Sequence, residues 1–171
     1  QFAGKDALAA IGASYCITMI FMAVAIGANT GCNVIASMLY GAKDFERMKT
    51  SVWTSLISVS AVSILLTVVG VIFCRPMLML LATPDNIMAD AATYLDIYVY
   101  GLFFLFLYNI CTGIFSALGD SKTPFYFLVA SSIGNVVLDL LFVAVFHWGV
   151  AGAAWATFLA QGAAAVLALV V

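Results

Sequence analysis

One carboxylate stands alone in a long apolar run. From Pro124 to Phe146 the chain reads PFYFLVASSIGNVVLDLLFVAVF, and Asp139 is the only residue in it that is charged at neutral pH. A charged side chain at the centre of a bilayer costs about 2.5–3.5 kcal/mol or more, so it is rarely kept without a partner or a use. Asn135 lies one helical turn before it and Ser131 one turn before that. Helical spacing puts all of them on one face. That polar stripe points to a bundle interior or a water-filled cavity rather than to lipid. Desolvation disfavours the charged form of any carboxylate, so Asp139 could take up a proton. The same carboxylate, with the amide oxygen of Asn135 and a hydroxyl from Thr157, could instead bind Na⁺ through hard oxygen ligands. A group that is charged in one state and neutral in another suits an ion-coupled carrier. The competing reading is a buried Asp satisfied by one hydrogen bond, with no role beyond packing.

The elements around this carboxylate follow from composition. Hydrophobic residues make up 65% of the chain and charged residues 8%, with a mean hydropathy of +1.17. Soluble domains carry about 25% charged residues, so the solvent here is lipid. The expectation is an all-α, polytopic integral membrane helical bundle, because barrel strands of about 10 residues would alternate in polarity. A formal charge of −2 leaves no basic footprint for nucleic acid. Cys16, Cys32, Cys74 and Cys111 lie in or beside apolar segments without metal-ligand spacing, as small hydrophobes do. No cofactor is expected. The chain begins at Gln1 and ends in LALVV, which reads as part of a longer membrane protein.

Spanning the hydrocarbon takes about 20 apolar residues as a helix. Segments of that kind run roughly over Ala7–Tyr40, Met48–Cys74, Asp90–Leu118, Thr123–Phe146 and Val150–Val171, which makes five spans. Breaks fall at GAKDFER, RPMLMLLATPDN, GDSKTP and HWG, rich in Gly, Pro or charge. Pro84 and Pro124 suit helix starts, and Asp6 and Ser121 suit N-caps. Lys43, Arg47 and Lys49 share one loop and Lys122 lies in another on the same side. The opposite side holds Lys5 and Arg75 with Asp6, Asp85 and Asp90. The positive-inside rule puts the loops of Lys43, Arg47, Lys49 and Lys122 in the cytoplasm of a multi-pass protein of the cell membrane. Trp53, Trp148, Tyr94, Tyr98 and Tyr100 fit an interfacial aromatic belt. His147 is expected at the outer water boundary.

Other spans also carry polar residues at one-turn spacing: Asn29, Asn33 and Ser37; Asn109, Thr112 and Ser116; Thr157 and Gln161. Interhelical hydrogen bonds explain such stripes without a substrate, at about 0.6 kcal/mol each. Ser51, Ser55, Ser58 and Thr67 are read as hydroxyls that bond the carbonyls of their own helix. Gly27-xxx-Gly31 and the small residues from Gly149 to Ala154 suit close helix contact. No basic residue is expected inside any span.

Three stretches, GANTGCNVIASMLYGAKDFERMK, ALGDSKTPFYFLVASSIGNVVLDLLFV and GVAGAAWATFLAQG, resemble the multidrug and toxic compound extrusion (MATE) antiporters. The match covers nearly the whole chain and corresponds to the second to sixth helices of a twelve-helix transporter. The family's first helix and its C-terminal lobe are therefore expected elsewhere in the same protein. The resemblance implies export of organic cations and other amphipathic toxins by alternating access, against H⁺ or Na⁺. It also implies that Asn135 and Asp139 bind the coupling cation, with Thr157 from the next helix and Asn109 from the preceding one. Alternatives are a flippase for lipid-linked oligosaccharides and a non-transporting membrane subunit. Basic residues within the spans would be expected to hold a flippase's pyrophosphate. An intramembrane aspartyl protease needs two carboxylates at one site, but Asp120 belongs to the GDSKTP turn, so no enzyme is expected.

Overall fold

Helices account for nearly all of the described chain. The computed structural model covers residues 4–170; the side chains of Lys5 and Asp6, the latter expected as an N-cap, and the last residue of the expected final span, Val171, lie outside the described residues. The helices are α1 (Gly4–Gly41), α2 (Phe45–Leu80), α3 (Asp85–Tyr100), α4 (Leu102–Ala117), α5 (Lys122–Asp139) and α6 (Gly149–Val170). A π-helical turn, Leu140–Val145, continues α5. Among the described residues α1, α2, α5 with its π-turn, and α6 are each long and apolar enough to cross a bilayer, and the bent pair α3–α4 makes a fifth span. The chain is an all-α helical membrane bundle.

Local chemistry fixes the helix ends. Lys43 takes a left-handed backbone, φ 58°, and the N–H groups of Lys43 and Asp44 donate to Tyr40 and Leu39 carbonyls at 3.0 Å. That closes α1. Asp44 then caps α2, accepting from the Arg47 N–H at 3.2 Å. The second span was expected to stop at Cys74, but α2 runs on through Pro76 to Leu80. Pro76 removes one backbone donor and crowds the carbonyl a turn before it, a defect that membrane helices tolerate where neighbouring groups satisfy the freed backbone. Arg75 consequently lies in the last two turns of α2 rather than in the loop that follows it.

The third span is not continuous. It breaks at Gly101, where α3 and α4 meet at 47°. The Gly101 N–H donates to Ile97 and Tyr98 carbonyls at 3.2 and 2.9 Å. The Thr67 hydroxyl of α2 donates across to the Val99 carbonyl at 3.3 Å, which satisfies a backbone acceptor beside the break. This seam is the centre of the core: Leu95, Val99 and Leu102 are fully buried and Phe106 and Ile110 nearly so, wrapped by α1 and α2. Gly70 of α2 has to be bare, because a Cβ there would sit 2.7 Å from Val99 Cγ1. Helix α5 has no buried residue and packs mainly on α6.

Apart from Asn29, whose Oδ1 is buried without a partner among the described residues, the polar stripes of α1 and α4 bond within their own helices. Ser37 donates to Asn33 Oδ1 at 3.0 Å, Thr112 to the Asn109 carbonyl and Ser116 to the Thr112 carbonyl, both at 2.9 Å. The interhelical bonds expected of these residues are not what they make; a short side chain on a helix reaches its own preceding turn first. Gly27 and Gly31 meet no neighbour within 4 Å among the described residues.

Ser121 stands at the N-cap of α5 but makes no capping bond. Asp120 does the work instead: its Oδ1 accepts from the Lys122 and Thr123 N–H groups at 3.0 and 3.1 Å, and its Oδ2 accepts from the Thr123 hydroxyl at 2.6 Å. These bonds, led by that of the Thr123 side chain, hold Asp120 below the usual carboxylate range. A depressed folded value gives stability that is present above the unfolded value of about 3.9 and lost as pH falls through the folded value. Asp120→Ala should therefore lower the thermal midpoint of the full-length protein near neutral pH, with the difference shrinking in acid, while Ser121→Ala leaves the midpoint unchanged. Equal effects of the two substitutions in a melting experiment would contradict this assignment.

Candidate functional site

Asp139 ends the regular part of α5, and Asn135 sits one turn earlier on the same face. The next helix, α6, brings Thr157 alongside. With the Asn135 amide turned to satisfy both its ends, its nitrogen donates to Asp139 Oδ2 at 3.3 Å and its oxygen accepts from the Thr157 N–H at 3.2 Å. The opposite orientation makes one bond, from the nitrogen to Thr157 Oγ1 at 3.4 Å. The Thr157 hydroxyl donates to the Ala153 carbonyl at 3.0 Å, which leaves its oxygen lone pair directed to an incoming donor or cation.

The other carboxylate oxygen, Asp139 Oδ1, is buried and has no hydrogen-bond partner among the described residues. A buried acceptor in that condition is costly, and a proton or a hard cation would satisfy it. The oxygens gathered here (carboxylate, amide and hydroxyl) are the hard donor set that Na⁺ takes. Among the described residues no cluster of three His, Cys, Asp or Glu groups could hold a metal ion instead.

Around this pair runs a groove of about 180 Å³ between α5 and α6, lined by Ser131, Ser132, Asn135, Thr157, Ala160 and Gln161. Gln161 also reaches the α3–α4 break: a Cβ on Gly101 would lie 3.7 Å from its Oε1 and 3.3 Å from the Phe158 ring. The missing side chain of Gly101 is therefore what lets Phe158 of α6 approach. Beyond Asp139 the π-helical turn carries Phe142 and Phe146 into a stack with Trp148, centroids 5.1–6.1 Å apart. Gly152 of α6 has to be bare against that turn, since a Cβ would sit 3.1 Å from Phe142 Cβ. Single π turns inside helices are uncommon and recur at functional sites.

Asn109 stays apart from this cluster. Its amide donates to the Leu105 carbonyl of its own helix at 2.8 Å, and no hydrogen bond joins it to Asn135, Asp139 or Thr157 among the described residues.

Two residues near the site escaped the sequence reading. Tyr94, taken as part of a lipid-facing belt, is half-buried in α3 and stacks with Tyr98 at 6.4 Å; its phenol is within electrostatic reach of the Asp139 carboxylate. The one-turn spacing of Tyr94 and Tyr98 was the signal for an inward face, whereas Tyr100, off that register, is exposed. Asp96 is a second carboxylate inside a spanning helix, on the other side of α3 against the Cys74 thiol of α2.

The MatE family model matches residues 1–141. The chain is 35% identical over 161 residues to the "Probable multidrug resistance protein YoeA" of Bacillus subtilis (strain 168), covering 92% of this chain and 35% of that protein; it thus spans about a third of that relative's length. It also superposes on a multidrug resistance MATE family transporter of the MOP superfamily. The inward-facing conformation gives a TM-score of 0.93 at 25% identity over 97% of this chain and 38% of that one. The outward-facing conformation gives 0.93 at 25% identity over 97% and 37%.

The close approach at the bend is testable. Gly101→Val should destabilise the full-length protein by about 1–3 kcal/mol, the usual cost of overpacking, read as a lower thermal midpoint; a midpoint at the wild-type value would refute the tight fit of Gly101 against Phe158 and Gln161.

Proposed function

This chain belongs to the MatE family, and on that premise we propose that it forms most of the N-terminal lobe of an ion-coupled antiporter that exports organic cations across the cell membrane. The observation that carries the reading is the Asn135–Asp139–Thr157 cluster with its one buried, unpartnered carboxylate oxygen. Binding H⁺ or Na⁺ there neutralises the Asp139 carboxylate, the one charge of that cluster. Releasing the ion restores a desolvated carboxylate that favours a state open to water or to a cationic substrate. Ion and substrate then weaken each other's binding by the same factor, as linkage requires.

Several features support this reading. The groove is lined by neutral polar side chains and carries no basic one, which suits cations over anions; Arg75, within α2, does not line it. The equal likeness to inward-facing and outward-facing relatives suits a lobe that moves as a body while its internal packing holds. The positive-inside rule supports a cytoplasmic side for Lys43, Arg47, Lys49 and Lys122, which would put Asp139 toward the outer half of its span. Asn109, bonded within its own helix, takes a lesser part in this scheme than the other three.

The test uses the full-length protein in a drug-sensitive host and in vesicles. Asp139→Asn should abolish export of toxic cations driven by either a proton or a sodium gradient, with membrane insertion intact. Thr157→Val should weaken the response to Na⁺ far more than the response to H⁺ if sodium is the coupling ion, and both alike if it is the proton. Undiminished export by Asp139→Asn would sink the coupling role.

A further inference from the structure

Regular α-helix stops at the coupling carboxylate. The Leu140 N–H still donates to the Val136 carbonyl, four residues back. The Phe146 N–H instead reaches the Leu141 carbonyl, five back, at 3.0 Å. Between them the chain makes its one π-helical turn, Leu140–Val145. Such a turn is an α-helical turn that holds one residue too many. The local sequence does not ask for it. Asn135, Asp139, Phe142 and Phe146 follow one another at spacings of four, three and four, the pattern of a single face on an uninterrupted α-helix. The stretch from Asn135 to Phe146 also contains no proline or glycine, the common causes of a broken helix.

The surplus residue is held by attachments to the next helix on either side of it. Before the turn, the Asn135 amide oxygen accepts from the Thr157 N–H at 3.2 Å. At its far end, Trp148 stacks on Phe142 and Phe146 with centroids 5.1 and 5.7 Å apart. The Trp148 N–H donates to the Phe142 carbonyl at 3.0 Å, directly ahead of α6. Closing the turn to α geometry would rotate one attachment against the other by about 100°, the angle that one residue subtends. Both cannot survive that rotation. The attachment with least behind it is that of α5, a helix with no buried residue that packs mainly on α6.

We propose that the π-helical turn is a register switch for the coupling ion, an inference that rests on the coupling role of Asp139. In the π register Asp139, Asn135 and Thr157 converge, so an ion bound among them favours that register. When the ion leaves, Asp139 Oδ1 is a buried acceptor without a partner among the described residues, and nothing offsets the cost of the turn. The turn then closes, α5 rotates about its own axis, and Asp139 parts from Thr157. The aromatic end of the hairpin stays in place, so the ion is released without separating α5 from α6.

Removing one residue from the turn tests this in the full-length protein. Deletion of Val143 leaves both attachments in their present register on an ordinary α-helix, with the cluster permanently assembled. Apparent affinity for the ion, titrated as Na⁺ at neutral pH and as H⁺ by acidification, should tighten severalfold because the competing register is gone. Export should fall at least tenfold while the thermal midpoint stays at or above the wild-type value. Val143→Ala, which keeps the residue count, should export as the wild type does. Spin labels at Val136→Cys of α5 and Leu159→Cys of α6, in a chain cleared of native cysteines, should change their separation when the ion is added. That distance decides the question even where the deletion variant does not fold. Wild-type export by the deletion variant, weakened ion binding in it, or a label separation indifferent to the ion would each overturn the switch. Should Asp139→Asn abolish export while the deletion variant exports normally, the coupling role stands and the switch alone falls; undiminished export by Asp139→Asn removes both.

Discussion

In hydrocarbon every polar group has to find its partner within the protein, and the architecture of this chain follows from that constraint. It explains why the α3–α4 bend sits where the Thr67 hydroxyl of α2 can reach the Val99 carbonyl. It explains why the hydroxyls of α1 and α4 turn back on their own helices, and why the buried Ser14 hydroxyl is shared between the Ala10 and Ala91 carbonyls. Against so complete a settlement, the few groups left open stand out. Asp139 Oδ1 is one, and Asn29 Oδ1 and the Thr83 hydroxyl are the others among the described residues.

Glycine does the geometric half of the same work. At Gly70 a bare backbone admits Val99, at Gly101 it admits α6, and at Gly152 it admits the π-helical turn. At Gly113 of α4 it admits the Asn29 side chain of α1, whose oxygen is buried against it. Each contact shortens the distance over which a polar group has to reach. The coupling cluster depends on two of them, because α6 carries Thr157 only as close to Asn135 as Gly101 and Gly152 allow.

How much of this the sequence disclosed depends on whether the cause was local. Helical periodicity is local, so the shared face of Asn135 and Asp139 could be read from spacing, and the helical, membrane-embedded class from composition. Which helix packs on which is not local, and Thr157 became a specific partner only through the resemblance to a family. The bend at Gly101 escaped because one glycine in an apolar run does not by itself break a helix. Arg75 was placed in a loop because the stretch RPMLMLLATPDN is rich in proline and charge, although α2 runs through its first six residues. Tyr94 was assigned to lipid because tyrosines cluster at interfaces, and only the packing of α3 turned it inward. The capping of α5 passed from Ser121 to Asp120 because Ser121 itself takes a helical backbone, φ −91° and ψ −8°, so the residue before it reaches the free N–H groups.

The scarcity of contacts made by α5 has a consequence for biogenesis. With no buried residue of its own, this helix leaves Asp139 unshielded until α6 lies beside it. Entering the bilayer alone, it would bear the full cost of its carboxylate and of the amide that serves it. The α5–α6 hairpin is the smallest unit in which that charge is covered, so entering as a pair spares the carboxylate its cost of about 2.5–3.5 kcal/mol. The short link through His147, with its left-handed backbone at φ 57°, keeps the two helices adjacent for that purpose.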